Sequence, residues 1–591
     1  MGNEAIAFGA MRAGVSVVTG YPGTPSTEVL ETVAKHNKGG IYVEWSVNEK
    51  VALEVAAGAS YAGARVLVTM KQVGLNVASD PLMSLNYIGV KGGMVIVVAD
   101  DPGPISSQTE QDTRHFGRFS KIPVFDPSTP EEAYVMIADA FDYSEKYGTP
   151  VLFRPTTRVC HSCASVTLLS DLPVKAAEGF VKDSRWVIFP RLAYMNHMKI
   201  EENLAAMSAD FSSYSGNILS GSGKKGIAAG GVSYTYTKEA LSGIDADCKL
   251  LKVSTMPFPQ ELALEFLEGL DEVLVVEELD PVIESELVTL CGLHHINVKI
   301  LGKRSLHMPN AGENTVHGVT GAVRAFLGLD SGNAEGSSAP APALPIRPPV
   351  LCAGCPHRAS FFAVKEAMRG RKAVFSGDIG CYTLANAQPL DMVDTCLCMG
   401  AGITVAQGLH AVEPDALNFA FIGDSTFFHT GIPGIVNAVY NETDIVVVIL
   451  DNSTTAMTGN QPHPGTGKTM MGNISEKISI FNIVSAIGVS EILRVNPFDL
   501  TAAKDAVKAV ADKKGVRVLL FEAPCIAVSK GSGKCVVDTG KCTGCKVCVK
   551  KLGCPAILFE DGKARIDASL CTGCSICAQV CSVKAIGGAA V

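Results

Sequence analysis

The sequence has 591 residues, 47% of them hydrophobic and 18% charged, with a net charge of −9 at pH 7. A chain of this length holds about three or four domains, and its acidic balance, with no basic tail or stripe, excludes nucleic acid as a partner. No apolar run reaches transmembrane length and no secretory signal opens the chain, so the expectation is a cytoplasmic protein with no membrane partner, its 19 cysteines kept reduced.

Short apolar runs alternate with helix-like stretches from the start: Val15–Thr19, Arg65–Met70, Val95–Ala99, Glu272–Val276, Asn418–Ile422 and Ile445–Leu450. Runs that are apolar on both faces predict parallel sheets in an α/β architecture. The first is followed by a turn-forming segment, Tyr21-Pro22-Gly23-Thr24-Pro25-Ser26. Glu44–Lys50 then leads into a run rich in Ala and Gly, Val51–Ala62, which puts Glu49 at a helix start. The helix dipole alone would favour an exposed carboxylate there. Ser107-Gln108-Thr109-Glu110-Gln111 precedes Arg114 and His115, two residues that also read as surface charges. We divide the chain into 1–182, a joining segment 183–222, 223–330, a linker 331–349, 350–530 and 535–591. The linker's Ser, Ala and Pro content builds no core and predicts an extended tether.

The second half carries the chemistry-bearing motifs. Cys352-Ala-Gly-Cys355-Pro-His357 follows the linker, then Gly377-Asp-Ile-Gly-Cys381. Gly423-Asp424-Ser425 ends one predicted strand and Asp451-Asn452 the next, at the carboxyl edge where open α/β sheets bind ligands. Carboxylate and amide oxygens are hard donors suited to magnesium, although a Gly-Asp and a distant Asn also occur in ordinary loops. His357 and His429 lie beside these motifs, as diphosphate ligands or as structural histidines. Cys525 ends the run Val518–Glu522, and Cys396 and Cys398 are expected to be buried thiols.

The tail holds two cysteine runs, Cys542/Cys545/Cys548 with Cys554, and Cys571/Cys574/Cys577 with Cys581. This is the two-cluster ferredoxin pattern, in which the fourth cysteine of each run serves the other cluster. One 4Fe-4S cluster then takes Cys542, Cys545, Cys548 and Cys581, the other Cys571, Cys574, Cys577 and Cys554. Zinc sites or a disulfide framework are the alternatives. Five residues, where the pattern has three, separate Cys548 from Cys554.

Taken together, the Tyr21–Ser26 segment, the Glu49 segment, the two cysteine turns, Gly423-Asp424, Asn452 and the tail resemble the 2-oxoacid:ferredoxin oxidoreductases from end to end. The resemblance implies two thiamine-diphosphate-binding folds (pyrimidine-binding 1–182, diphosphate-binding 350–530), a transketolase C-terminal-like domain at 223–330 and a small α+β ferredoxin domain. Asp424, Asn452 and the Thr454 carbonyl would hold Mg²⁺ behind Gly423. Ser425 stands where the thiamine motif has a further glycine. Glu49 would hydrogen-bond the aminopyrimidine ring, and the cofactor performs the organic chemistry.

Cys352, Cys355, Cys381 and Cys525 resemble the ligands of a third, proximal 4Fe-4S cluster; a zinc or redox site is the alternative. Thr24 matches a substrate contact, and Gln108 stands where many members carry the Arg that holds the substrate carboxylate, leaving Arg114 or His115 to substitute. The implied reaction oxidatively decarboxylates a small-molecule 2-oxoacid, aryl acids and indolepyruvate foremost, to the acyl-CoA and CO2, with ferredoxin as acceptor. A β subunit in an α2β2 assembly would serve coenzyme A. Another 2-oxoacid such as pyruvate, a non-oxidative decarboxylase, or an inactive electron-transfer subunit are the competing readings.

Overall fold

Runs of Val, Ile and Ala that are buried on both faces build three separate, mostly parallel sheets. The computed structural model describes residues 1–173, 176–244, 247–329, 344–345, 348–531 and 533–588, and falls into two compact units, 1–340 and 341–591. Most of the 331–349 linker lies outside the described residues.

In the first unit, β1 (Val17–Gly20), β2 (Tyr42–Trp45), β3 (Val66–Lys71), β4 (Met94–Ala99), β5 (Val124–Phe125) and β6 (Val151–Phe153) form a parallel sheet in the order β5-β6-β4-β3-β1-β2. The short β10 (Thr255–Met256) adds antiparallel to β5 at the edge. Every residue of β4 is buried, as expected for a strand covered by helices on both sides. The second sheet holds β7 (Ile218–Gly221), β8 (Lys225–Gly230), β9 (Cys248–Val253), β11 (Glu272–Val276) and β12 (Lys299–Leu301), in the order β12-β11-β8-β9-β7. The stretch 183–222 carries the helix Pro190–Ser212 and then β7, which pairs antiparallel with β9.

In the second unit, β13 (Ala373–Ser376), β14 (Leu417–Gly423), β15 (Ile445–Asp451), β16 (Glu491–Val495) and β17 (Val516–Glu522) give an all-parallel sheet in the order β13-β14-β15-β17-β16. Two small antiparallel pairs follow: β18 (Cys535–Val537) with β21 (Ile586–Gly588), and β19 (Ile557–Glu560) with β20 (Lys563–Ile566). This cysteine-rich module is not a bead on a string. Cys535, Leu552, Ile557 and Ile576 share one apolar core with Phe361, Phe421 and Leu500 of the preceding domain. No helix among the described residues is long and apolar enough to cross a membrane.

Candidate active site and cluster cages

Parallel strands that all run the same way deliver their following loops to one edge, so each unit gathers its polar residues at the carboxyl ends of its strands. In the first unit, Asn48 caps the helix Glu49–Tyr61 by accepting from Val51 N at 2.9 Å. The cap fixes Glu49 at the first turn, and there it is buried, with 6% exposure. It is therefore not the exposed first-turn carboxylate that the dipole alone would give. Gly74 makes room for it: a Cβ at that position would stand 2.6 Å from Glu49 Oε1. The loop after β4 folds back onto the Tyr21–Ser26 turn, where Ser106 Oγ donates to the Thr24 carbonyl at 3.2 Å. Gln72 Nε2 donates to Thr109 O at 3.1 Å, and the Gln108 side chain between these ties is exposed. Thr24, Gln108 and Glu49 thus belong to one edge of one sheet.

Arg114 does not join them. It is 3% exposed, so it is no surface charge. Its Nε donates to Asp112 Oδ1 at 2.9 Å, Nη1 to Glu277 Oε2 at 2.7 Å, and Nη2 to the carbonyls of Glu278 and Asp280. A guanidinium so engaged is not open to a substrate carboxylate; it ties the first sheet to the second. His115 does lie at the surface, facing Asp280 Oδ2 at 3.0 Å. A residue the motifs did not flag is Lys71, at the carboxyl end of β3, with its stem against Gly23. Burial lowers its pKa, opposed by the nearby carboxylates of Asp101 and Glu49.

In the second unit, β14 ends at Gly423 and delivers Asp424, which is 3% exposed, beside the end of β15. Asp424 Oδ2 accepts from Asn452 N at 3.1 Å and Ser453 N at 2.8 Å, and Oδ1 from Ser425 N at 2.8 Å. Asn452 Oδ1 turns back to accept from Thr454 N at 3.2 Å. His463 Nε2 lies 3.1 Å from Asp424 Oδ2. Burial pushes Asp424 up, but His463 and the backbone donors outweigh it and hold the carboxyl below its usual range. Burial, and then Asp424, raise the neighbouring Asp451 to about 6. Two crowded carboxylates and an amide oxygen suit a hard divalent cation, whose charge would relieve their repulsion.

His357 shows most directly that this edge is built for a ligand. It is 3% exposed, and neither ring nitrogen has a hydrogen-bond partner among the described residues. Burial lowers it to about 4, opposed only by Asp424. His429 is also buried, with Nδ1 3.3 Å from Thr430 Oγ1, on a π-helical turn of the kind common at functional sites. Asp378 and Tyr382 pack behind: Tyr382 Oη donates to Asp378 Oδ2 at 3.0 Å, and burial raises Asp378 to about 6. His463 had no spacing signal, because it reaches the site from a loop remote in sequence; Asp378 lies inside the Gly377–Cys381 motif, which pointed only to its cysteine.

The tail cysteines form two separate cages. Cys542, Cys545, Cys548 and Cys581 line one pocket. Cys554, Cys571, Cys574 and Cys577 line another. The fourth cysteine of each run therefore crosses to the other cage, as the ferredoxin pattern requires. Cys535, outside both runs, lines the second cage, and its N–H lies 3.4 Å from Cys571 Sγ. Among the described residues no three His, Cys, Asp or Glu side chains converge on one point closely enough to hold a single metal ion. Cys352, Cys355, Cys381 and Cys525 also interact: burial, then Cys525 and Cys352, push Cys381 up to about 11, and Cys352 contributes to raising Cys355. Cys396 and Cys398 are exposed, contrary to the buried thiols expected; they lie in the irregular segment between β13 and β14, outside any apolar core.

Residues 8–200 match the family model of the pyruvate flavodoxin/ferredoxin oxidoreductase thiamine-diphosphate-binding domain. Residues 378–521 match the C-terminal binding domain of thiamine pyrophosphate enzymes, and 564–587 a 4Fe-4S binding domain. The indolepyruvate oxidoreductase subunit IorA of Pyrococcus horikoshii is 41% identical, covering 94% of this chain and 90% of that protein. The IorA subunit of Archaeoglobus fulgidus is 42% identical over 93% of this chain and 90% of that protein. Among solved structures, a 2-oxoglutarate:ferredoxin oxidoreductase from Magnetococcus marinus aligns at 18% identity over 55% of this chain and 64% of that chain, with a TM-score of 0.43. From the long, high-identity matches and the three domain models it follows that this chain belongs to the IorA family of indolepyruvate oxidoreductase subunits, ferredoxin-linked 2-oxoacid oxidoreductases that use thiamine diphosphate and iron–sulfur clusters.

Proposed function

We propose that this chain is the α subunit of an enzyme that oxidatively decarboxylates aryl 2-oxoacids, indolepyruvate foremost, to aryl-acetyl-CoA and CO2 and passes the electrons to ferredoxin. The observation that carries the thiamine site is buried His357, with two unpartnered ring nitrogens, beside Asp424. The relatives' names, read with Gln108 in place of a carboxylate-binding Arg, carry the substrate.

When bound, thiamine diphosphate supplies a carbanion for the keto carbon and a sink for the electrons that CO2 leaves behind. The chain's own groups do the rest. Glu49 holds a proton at a ring nitrogen of the aminopyrimidine, a role that burial against Gly74 keeps dry. Asp424, Asn452 and the Thr454 carbonyl would hold Mg²⁺, Gly423 would let the backbone approach the diphosphate, and His357 and His429 would donate to it. Thr24 and Gln108 face the 2-oxoacid. Residues 1–182 act as the pyrimidine-binding domain, 183–222 as a joining segment, 223–330 as the transketolase C-terminal-like domain and 350–530 as the diphosphate-binding domain. Cys352, Cys355, Cys381 and Cys525 hold a proximal 4Fe-4S cluster, and residues 535–591 hold two more. A β subunit in an α2β2 complex, in the cytoplasm, completes coenzyme A use.

The test is an anaerobic assay of the α and β subunits together across a panel of 2-oxoacids, following reduction of a viologen dye. Indolepyruvate should give the highest kcat/KM. Glu49→Gln should keep thiamine but lose about 10²–10⁴ in rate, the usual worth of a positioned proton-transfer group. Preference for pyruvate or 2-oxoglutarate would remove the substrate assignment, and normal turnover by Glu49→Gln would remove the catalytic one.

A further inference from the structure

The turn from Cys352 to Arg358 closes one side of the second ferredoxin cage. Ala353, Gly354 and Arg358 line that cavity together with Cys554, Cys571, Cys574 and Cys577. Gly354 has φ +74°, and a Cβ there would stand 1.9 Å from Thr572 Oγ1, so only glycine permits the approach. Arg358 is 4% exposed. Its Nη1 donates to the carbonyls of Leu552 at 2.6 Å and Gly553 at 2.9 Å, and its Nη2 to the carbonyl of Leu351. Leu351 precedes Cys352, and Gly553 precedes Cys554. One guanidinium therefore spans the peptide leading into a proximal-set cysteine and the peptide leading into a ferredoxin-cage cysteine.

No carboxylate forms an ion pair with Arg358 among the described residues, and its Nε is buried without a hydrogen bond. The groups that face it are cysteine sulfurs: Cys554, Cys571, Cys574 and Cys577 line the same cavity, and Cys352 and Cys355 lie in the turn just before it. The long interval between Cys548 and Cys554 has its use here. Helix Val547–Leu552 and Gly553 supply the two carbonyls, and Lys551 of that helix pairs with Glu366 of helix Pro356–Ala367 at 3.1 Å.

We propose that Arg358 is a positioning residue that joins the proximal cluster to the adjacent ferredoxin cluster, fixing their approach through its carbonyl bonds and favouring the reduced state of both through its buried charge. This rests on the three-cluster reading above. In the transfer it serves, one cluster loses an electron and the other gains it. No bond forms or breaks, and Arg358 stays protonated throughout.

The experiment uses the complete, anaerobically purified α and β complex carrying Arg358→Met or Arg358→Lys. Iron per chain, midpoint potentials from EPR-monitored redox titration, and the rate of ferredoxin-cluster reduction after mixing with the 2-oxoacid are read out. Reduction adds negative charge, so Arg358→Met should move both potentials negative, by about tenfold in the reduction equilibrium, or about 59 mV for one electron. Arg358→Lys should keep the potentials near wild type but slow the reduction step, because a point charge cannot span carbonyls on both peptides. A fully loaded Arg358→Met complex with unchanged potentials and rate overturns the proposal. If that variant loses iron, Arg358→Lys decides, and wild-type behaviour of a loaded Lys complex overturns it equally. A wild-type complex with no third cluster in its iron count and EPR sinks the three-cluster reading instead, a separate result.

Discussion

Two buried polar regions of this chain are built on opposite plans. In the unit 1–340, Arg114 and Arg154 are enclosed by Asp100, Asp112, Asp126, Glu277 and Glu278, and the group satisfies itself almost completely. Arg154 Nε pairs with Asp100 Oδ2 at 2.7 Å and Nη1 with Asp126 Oδ2 at 3.1 Å, while Glu277 also accepts from the first turn of helix Val282–Leu293. Among the described residues Arg154 Nη2 and Asp126 Oδ1 are buried without a hydrogen bond, and Nη2 still lies 3.9 Å from Asp112 Oδ1. In the unit 341–591, among the described residues, His357 has no hydrogen-bond partner for either nitrogen, Arg358 has no paired carboxylate, and nine thiols face two cavities. Buried polar groups cost free energy unless partnered. A closed network is therefore architecture, and an open one is a place where something from outside the chain completes the bonding.

That contrast can be broken most severely at the open site. Asp424→Ala removes the charged oxygen donor next to Asn452 and should abolish thiamine retention and activity together, read as thiochrome fluorescence of the purified protein. Full thiamine content in that variant would place the site elsewhere. At the closed site the loss should instead be stability. Asp112→Asn leaves Arg114 without its main countercharge, and breaking such a pair costs about 3–5 kcal/mol. Urea denaturation should show this with the iron content of the chain unchanged.

A smaller effect separates the regions by pH. Burial, opposed by the Asn314 N–H and Arg154, raises Glu278 to about 7 from its ordinary 4.5. The folded chain then holds a proton that the unfolded chain releases, so this group's contribution is fully present below pH 4.5 and is lost as pH rises towards 7. Glu278→Gln keeps the acceptor for Asn314 N, at 3.0 Å in the native chain. It should flatten that slope and add about 1–3 kcal/mol at neutral pH. An unchanged slope would show that Glu278 titrates normally.

The mildest change lies at the exposed rim. Gln108→Arg should improve pyruvate relative to indolepyruvate in kcat/KM, since charged hydrogen bonds contribute roughly 1.5–3 kcal/mol and neutral ones nearer 0.5–1.5. An unaltered ratio would place the substrate carboxylate out of reach of the Ser107–Gln111 loop.

Local pattern carried much of this in advance. The runs now seen as β3, β4, β14 and β15 were legible because strands buried on both faces must be apolar throughout. The tail cysteines were legible because short loops fix which thiols share a centre. Asp424 and Asn452 were legible as polar residues at the ends of adjacent strands. Spacing failed where a residue's environment comes from chain far away. Arg114 looked like a surface charge or a carboxylate clamp until Glu277 and Glu278, more than a hundred and sixty residues on, enclosed it. Cys396 and Cys398 looked like core thiols and are exposed.

By itself, then, the sequence determined several core strands, the two tail cysteine sets and the strand-end residues, because these depend on short-range periodicity and loop length. Only the tertiary structure decided that His463 meets Asp424, that His357 is left unpartnered and that Arg358 bridges two cysteine turns. Each of these depends on which loops arrive at the same place, and on which of their polar atoms are cut off from water when they do.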